Sequence, residues 1–223
     1  MSSESNSNDK AVQDDIVAEE SNDVVAAEQL LSNALGGWTG ILDSGLPTAI
    51  FLLVFTVNGQ VLQPALIAAV VTALVLAVIR VIRKKSLQQV ISGLIGVAIA
   101  AWFSSRTGEA EDFFLPGILT NIAYGVGLLI SVIVRHPLIG YLVGGFTGDL
   151  TSWRSNPADL RFYRLVTLWW VGMFGFRVAV QLPLYLAGAV ELLGTAKLVM
   201  GWPLYLAVAF VTYRAVTARR ARA

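Results

Sequence analysis

An all-α, polytopic transmembrane helix bundle is the fold class this sequence predicts, and three observations predict it. Hydrophobic residues make up 56% of the chain and charged residues 14%, whereas a soluble domain carries about 25% charged residues. Mean hydropathy is +0.67. Apolar runs near the length of a membrane span, about 17–25 residues as helix, recur between short polar joints. The lack of Cys excludes a disulfide scaffold. With one His and no Cys, no transition-metal site is expected.

Residues 1–37 read as a disordered acidic tail, placed in the cytoplasm, and residues 38–223 as the transmembrane domain. Eight acids and one base fall within residues 1–40, while the remaining seven acids share the rest of the chain with fifteen bases. Residues 1–20 hold no aromatic residue and too little apolar surface to offset the entropy of ordering. No basic stretch followed by an apolar one opens the chain, so a signal peptide is not expected. Val24, Ala27, Leu31 and Leu35 recur at helical spacing before Gly36-Gly37, which predicts a short amphipathic helix. That helix either lies on the membrane or belongs to a solvated leader.

Six spans are predicted, at 42–57, 61–82, 87–103, 113–134, 162–186 and 198–216. Asn58-Gly59 marks the turn after the first. Residues 138–148 are too few to cross comfortably and suit a re-entrant or interfacial helix. Lys and Arg concentrate in cytoplasmic loops. With both termini inside, six spans place twelve basic residues within, among them Arg83, Lys84, Arg135, Arg154 and Arg219, and only Arg106 and Lys197 outside. A seventh crossing at 138–148 would spoil that segregation. Trp102, Phe113, Phe114, Tyr185 and Trp202 at the outer ends, and Trp153 and Tyr213 at the inner, form the expected aromatic belts.

Two echoes point to similar units within the chain, as transporter folds often contain. Pro183-Leu184-Tyr185-Leu186-Ala187 matches Pro203-Leu204-Tyr205-Leu206-Ala207, and Arg83-Lys84-Lys85-Ser86-Leu87 parallels Val134-Arg135-His136-Pro137-Leu138. Chance similarity in apolar sequence is the competing explanation.

Arg177 is the residue least at home in such a chain. It sits near the middle of the fifth predicted span, with Gln181 one turn later on the same face. A charge at the bilayer centre costs about 2.5–3.5 kcal/mol on insertion scales and normally faces the bundle interior. No span holds a central carboxylate to pair with it; Asp43 and Asp149 lie near span ends. Arg177, Gln181 and Asn121 therefore form the candidate anion, lipid or polar intramembrane site, since guanidinium binds phosphate bidentately. Equally, Arg177 could tie to carbonyls freed at Pro183 or snorkel outward. Thr48, Thr56, Gln63 and Thr72 are further polar residues that could join the cluster or simply hold helices together.

Gly140, Gly144 and Gly148 repeat every four residues and predict close helix packing or a mobile gate. His136 stands beside Arg135 at the inner surface. Glu109, Glu111 and Asp112 read as a solvated outer loop. No phosphate-binding P-loop, nucleophile elbow or metalloprotease motif is present, so no catalytic residue, cofactor or metal is expected and the chain is read as not an enzyme.

Several longer strings are distinctive together: Leu46-Pro47, Leu87-Gln88-Gln89-Val90-Ile91-Ser92-Gly93, Arg106-Thr107-Gly108-Glu109-Ala110 through Phe113-Phe114-Leu115-Pro116-Gly117, and Arg135-His136-Pro137-Leu138. Arg177 with Val180-Gln181-Leu182-Pro183-Leu184-Tyr185-Leu186, and Gly201-Trp202-Pro203-Leu204-Tyr205, complete them. With these strings the chain resembles a family of uncharacterised actinobacterial integral membrane proteins, domain of unknown function 3159. More distantly it resembles the intracellular septation protein A group. The resemblance implies an actinobacterial plasma-membrane protein and brings no activity or substrate.

Two function classes follow. One is a channel, transporter or lipid-handling protein with a basic intramembrane site. The alternative is a non-catalytic scaffold for envelope or cell-division machinery. Membrane lipids are the expected partners, with a second copy or other membrane proteins as alternatives; nucleic acid is not expected.

Overall fold

The structure, a computed structural model, describes residues 37–84, 87–147 and 151–220. By contacts the chain divides into two units, Met1–Ser44 and Gly45–Ala223. Of the first, only the helical backbone of residues 37–44 is described; the acidic tail and its amphipathic helix lie outside the described residues. Everything below concerns the second unit.

Among the described residues there are eight α-helices, two short 3-10 turns and no strand. They are α1 (Gly37–Val57), α2 (Leu62–Ile82), α3 (Leu87–Thr107), α4 (Leu115–Ile133), α5 (Leu138–Thr147), α6 (Pro157–Leu186), α7 (Val190–Val199) and α8 (Trp202–Arg220). The 3-10 turns are Glu111–Phe113 and Ser152–Arg154. Five stretches are long and apolar enough to cross a membrane: Leu62–Ile82, Val90–Thr107, Leu115–Ile133, Pro157–Leu186 and Val190–Arg219. Gly45–Val57 is a shorter apolar helix. The chain is a multi-pass, all-helical membrane protein.

Helices α4, α6 and α8 alternate in direction. At one end Tyr185, closing α6, donates a hydrogen bond to Asp112 ahead of α4 (2.5 Å). At the other, Val134, Arg135 and His136 after α4 share a depression with Arg154, Ser155 and Leu160 around the start of α6. So α4 and α6 run antiparallel, and α5 leaves and returns at one end without crossing. Gln60 Nε2 donates to Glu191 Oε1 (3.0 Å), setting the α1–α2 corner beside the start of α7. Arg219 binds Asp159 through Nε and Nη2 (2.7 and 2.6 Å), pairing the end of α8 with the start of α6. One end thus gathers Glu111, Asp112 and Glu191, and the other Arg135, Arg154 and Arg219. We call them the acidic and basic ends.

The apolar core lies toward the acidic end. Phe51 of α1 stacks on Phe113 at 4.2 Å, with Phe114 set edge-on at 5.8 Å. Ala65, Leu66 and Ala69 of α2, Ala100 of α3, Ile118 of α4 and Leu193 of α7 close around them. Phe113 and Phe114 are therefore core residues and not the interfacial belt expected of them. Asp112, expected in solvated loop, is buried beside them.

The basic corners repeat in backbone as well as in sequence. Lys84 (φ +53°) and Arg135 (φ +58°) both take the left-handed conformation just after α2 and α4, and the next helices begin at Leu87 and Leu138. After α4, His136 N–H bonds Ser131 O and Arg135 N–H bonds Val132 O, the Schellman pattern that glycine usually closes. The other echo does not hold in space. Pro183 lies inside α6 and Pro203 opens α8, so the matching segments occupy different parts of their helices.

In the short α5, Gly140 packs on the indole of Trp153, which is buried against Tyr141 and Tyr163 and is not an interfacial ring. A Cβ at Gly140 would lie 2.8 Å from that indole. Gly148 falls outside the described residues. Gly140→Ala should therefore destabilise the protein by about 1–3 kcal/mol, the usual cost of overpacking, read as a lower thermal midpoint in detergent. Gly96→Ala, with open space around its Cβ, should leave the midpoint nearly unchanged.

Candidate functional site

Helix α6 opens cleanly, with Asn156 accepting a hydrogen bond from Ala158 N–H and Pro157 in the first turn. Its buried face runs through Val166, Thr167, Met173, Phe174, Arg177 and Gln181, a stripe at helical spacing. Arg177 and Gln181 continue a line that is apolar apart from Thr167, whose hydroxyl donates to Tyr163 O, so the packing that buries Phe174 buries them too. They are 7% and 2% exposed. Arg177 precedes the end of α6 by nine residues, about 14 Å, roughly half the depth of a ~30 Å hydrocarbon layer.

Packing against α4 sets the register. A Cβ on Gly125 would stand 3.4 Å from Phe174 Cβ, and Tyr124 packs on the Phe174 ring at 5.6 Å. One turn from there, in opposite senses along antiparallel helices, Asn121 comes level with Arg177 and Val178. A further turn brings Gly117 level with Gln181. Asn121 is itself 6% exposed. The three residues singled out from sequence thus share two adjacent layers of the interior. Thr56 and Gln63 are exposed and Thr72 bonds Ala68 O within its own helix, so these do not join them.

Two residues not singled out from sequence complete the layer. The Arg177 guanidinium lies 4.9 Å over the Tyr205 ring, in the first turn of α8. Lys197, expected in an outer loop, sits in the last turn of α7. Its Nζ lies 5.1 and 5.6 Å from the rings of Phe114 and Phe113 and 4.0 Å from a Cβ position on Gly117. The last apolar run of the chain breaks at Met200–Gly201, which delivers both groups: α7 ends with its lysine and α8 begins with its tyrosine. That break was legible as Gly201-Trp202-Pro203, but the segment before it passes for loop because Glu191 and Lys197 punctuate it.

The electrostatics are one-sided. Four buried side-chain atoms find no acceptor among the described residues: Arg177 Nε and Nη1, Gln181 Nε2 and Arg164 Nε. All four are donors, and those of Arg177 and Gln181 belong to this layer, Arg164 lying about 20 Å nearer the basic end. Lys197 stands within electrostatic reach of Arg177. The buried carboxylate among the described residues, Asp112, is engaged by Tyr185. Unsatisfied buried donors cost about 1–3 kcal/mol each, and more when charged. The layer therefore offers hydrogen-bond donors and positive charge to something that accepts them. No cluster of metal-ligating side chains occurs among the described residues.

Residues 35–223 match a family described as a protein of unknown function, DUF3159. The chain belongs to that family. The match takes in every membrane helix and all of Asn121, Arg177, Gln181 and Lys197, and it carries no activity with it. No curated protein and no solved structure matches this DUF3159 protein.

The ring under Arg177 should be measurable. Tyr205→Leu should lower stability by about 2 kcal/mol, the scale of a desolvated cation–π contact, while Tyr205→Phe should cost less because the ring face remains. In an Arg177→Leu background the penalty of Tyr205→Leu should shrink, and thermal unfolding of the four-protein cycle reads the coupling.

Proposed function

We propose that this protein handles an anionic group within the membrane, as a channel, transporter or lipid-handling protein, and not as an enzyme. The observation that carries this is the set of buried donors without acceptors at Arg177 and Gln181. An oxyanion satisfies them: guanidinium binds phosphate or carboxylate through two parallel hydrogen bonds, Gln181 Nε2 supplies another donor, and Lys197 adds charge. The first turn of α8, which carries Tyr205, contributes the positive end of a helix dipole. Broken helices at binding sites of membrane transporters use the same device. Tyr205 stabilises Arg177 without neutralising it, so the guanidinium keeps its charge for the ligand.

The setting we propose is an actinobacterial plasma membrane, with both termini and the basic end cytoplasmic, as the segregation of Lys and Arg supports. A scaffold for envelope or division machinery is the other class, and it would leave Arg177 a packing residue.

One substitution separates the two. On the site reading, Arg177→Leu removes an uncompensated charge, so the thermal midpoint in detergent should hold or rise while bound phospholipid or anion, read by native mass spectrometry, is lost. Arg177→Lys should keep the charge, lose the paired geometry and retain less ligand. A marked fall in stability with ligand retention unchanged would sink the site. Sidedness is tested by single cysteines in this cysteine-free chain: a Cys at Thr107 should react with an impermeant reagent in intact cells, and one at Ser155 should not.

A further inference from the structure

The basic end carries a second feature that the mid-membrane cluster does not explain. An open depression of about 640 Å³ is lined by Arg135, His136, Thr151, Arg154 and Ser155, with Val134 and Leu160 as its apolar wall. Among the described residues its lining holds two guanidinium groups, an imidazole and two hydroxyls, and no carboxylate. We propose that this depression is a phosphate-binding site, taking either the phosphate of a lipid headgroup or free inorganic phosphate.

The groups are held in place before any ligand arrives. Arg135 occupies the left-handed position that closes α4, and the next backbone N–H donates to Ser131 O at 2.8 Å. Ser131 Oγ in turn accepts from Leu138 N–H at 3.3 Å, tying the corner to the start of α5. Arg154 ends the Ser152–Arg154 turn, whose Trp153 is buried against Gly140 and between Tyr141 and Tyr163. The site therefore rests on three rigid mounts: the end of α4, the face of α5 and the start of α6.

The hydrogen bonds fix the imidazole tautomer. Guanidinium can only donate, so His136 Nε2 accepts from Arg154 Nη2 at 2.8 Å. Nδ1 then carries the proton and donates to Val134 O at 2.7 Å. A neutral imidazole orients Arg154 without cancelling its charge. Arg219 at the same end is arranged oppositely, its charge engaged by Asp159. The difference singles out Arg154 and Arg135 as cations positioned for an external anion. Phosphate matches them: three or four acceptor oxygens suit the guanidinium forks and the Thr151 and Ser155 hydroxyls. The depth, where α4 ends and α6 begins, is that of lipid headgroups, which basic pockets between membrane helices commonly bind.

The test uses the full chain in phosphatidylcholine nanodiscs. One arm titrates inorganic phosphate by calorimetry; the other adds phosphatidic acid and counts retained lipid by native mass spectrometry. Arg154→Gln and Arg135→Gln should each weaken binding about tenfold, as loss of a charged hydrogen-bonding partner does. Arg154→Lys should fall between, keeping charge without the fork. Arg83→Gln removes the same charge from a corner outside the depression and should change binding less than about twofold. Response in the phosphatidic acid arm alone assigns a headgroup; response in both assigns free phosphate. The losses should be the same with Arg177 present or replaced by Leu, which separates this site from the one at mid-membrane. Equal losses in Arg83→Gln and Arg154→Gln, or no loss in Arg154→Gln and Arg135→Gln, would overturn the proposal.

Discussion

The antiparallel pairing of α4 with α6 is the constraint on which the other features rest. Gly125 lets the two backbones close to the point where a Cβ would meet Phe174 Cβ, and this contact fixes how far one helix slides along the other. From it follow the level of Asn121 with Arg177 along the helix axes and the meeting of Tyr185 with Asp112. At the far end the same register brings the corner after α4 to the turn before α6. One close approach thereby sets both the mid-membrane layer and the basic depression.

Among the described residues, cations are met by ring faces more than by carboxylates. Arg177 lies over Tyr205, Lys197 over Phe113 and Phe114, and Arg106 over Trp102. Of the carboxylates, Asp112 takes Tyr185 and Glu191 takes Gln60, while Asp159 pairs with a cation, Arg219, which also lies over Phe162. A ring stabilises a cation through its quadrupole and leaves the net charge in place, whereas an ion pair removes it. In a medium of low dielectric the difference decides whether a buried positive group can still attract an anion.

The broad design was legible in the sequence because it rests on run length and hydropathy, which the membrane imposes directly. The spans near 61–82, 87–103, 113–134 and 162–186 and the short helix from Leu138 follow from those alone, and Arg177 and Gln181 stood out because polar residues are rare in such runs. The first run makes only the shorter apolar helix Gly45–Val57, and the last, read as 198–216, belongs to the longer stretch Val190–Arg219, which breaks after Val199. What escaped was anything that depends on pairing between distant segments. Lys197 looked like loop because its ring partners, Phe113 and Phe114, lie far away in sequence. Asp112 looked solvated because nothing near it announces Tyr185. Trp153 and the two phenylalanines have the composition of an interfacial belt, and only the close approach of Gly140 and Phe51 makes them core. The Pro-Leu-Tyr-Leu-Ala echo misled for the same reason: one tyrosine meets a carboxylate and the other a guanidinium.

Lys84 and Arg135 have a consequence for how the chain enters a membrane. Each holds a left-handed backbone conformation that costs a side-chain-bearing residue about 1–2 kcal/mol, where glycine would be at ease. Each also places a fixed positive charge at the edge of a hairpin, the feature that an inserting helix pair reads to choose its orientation. Stability and fidelity of insertion therefore pull against one another at these two corners. A glycine in either would give a more relaxed fold and a weaker instruction about which way round to lie.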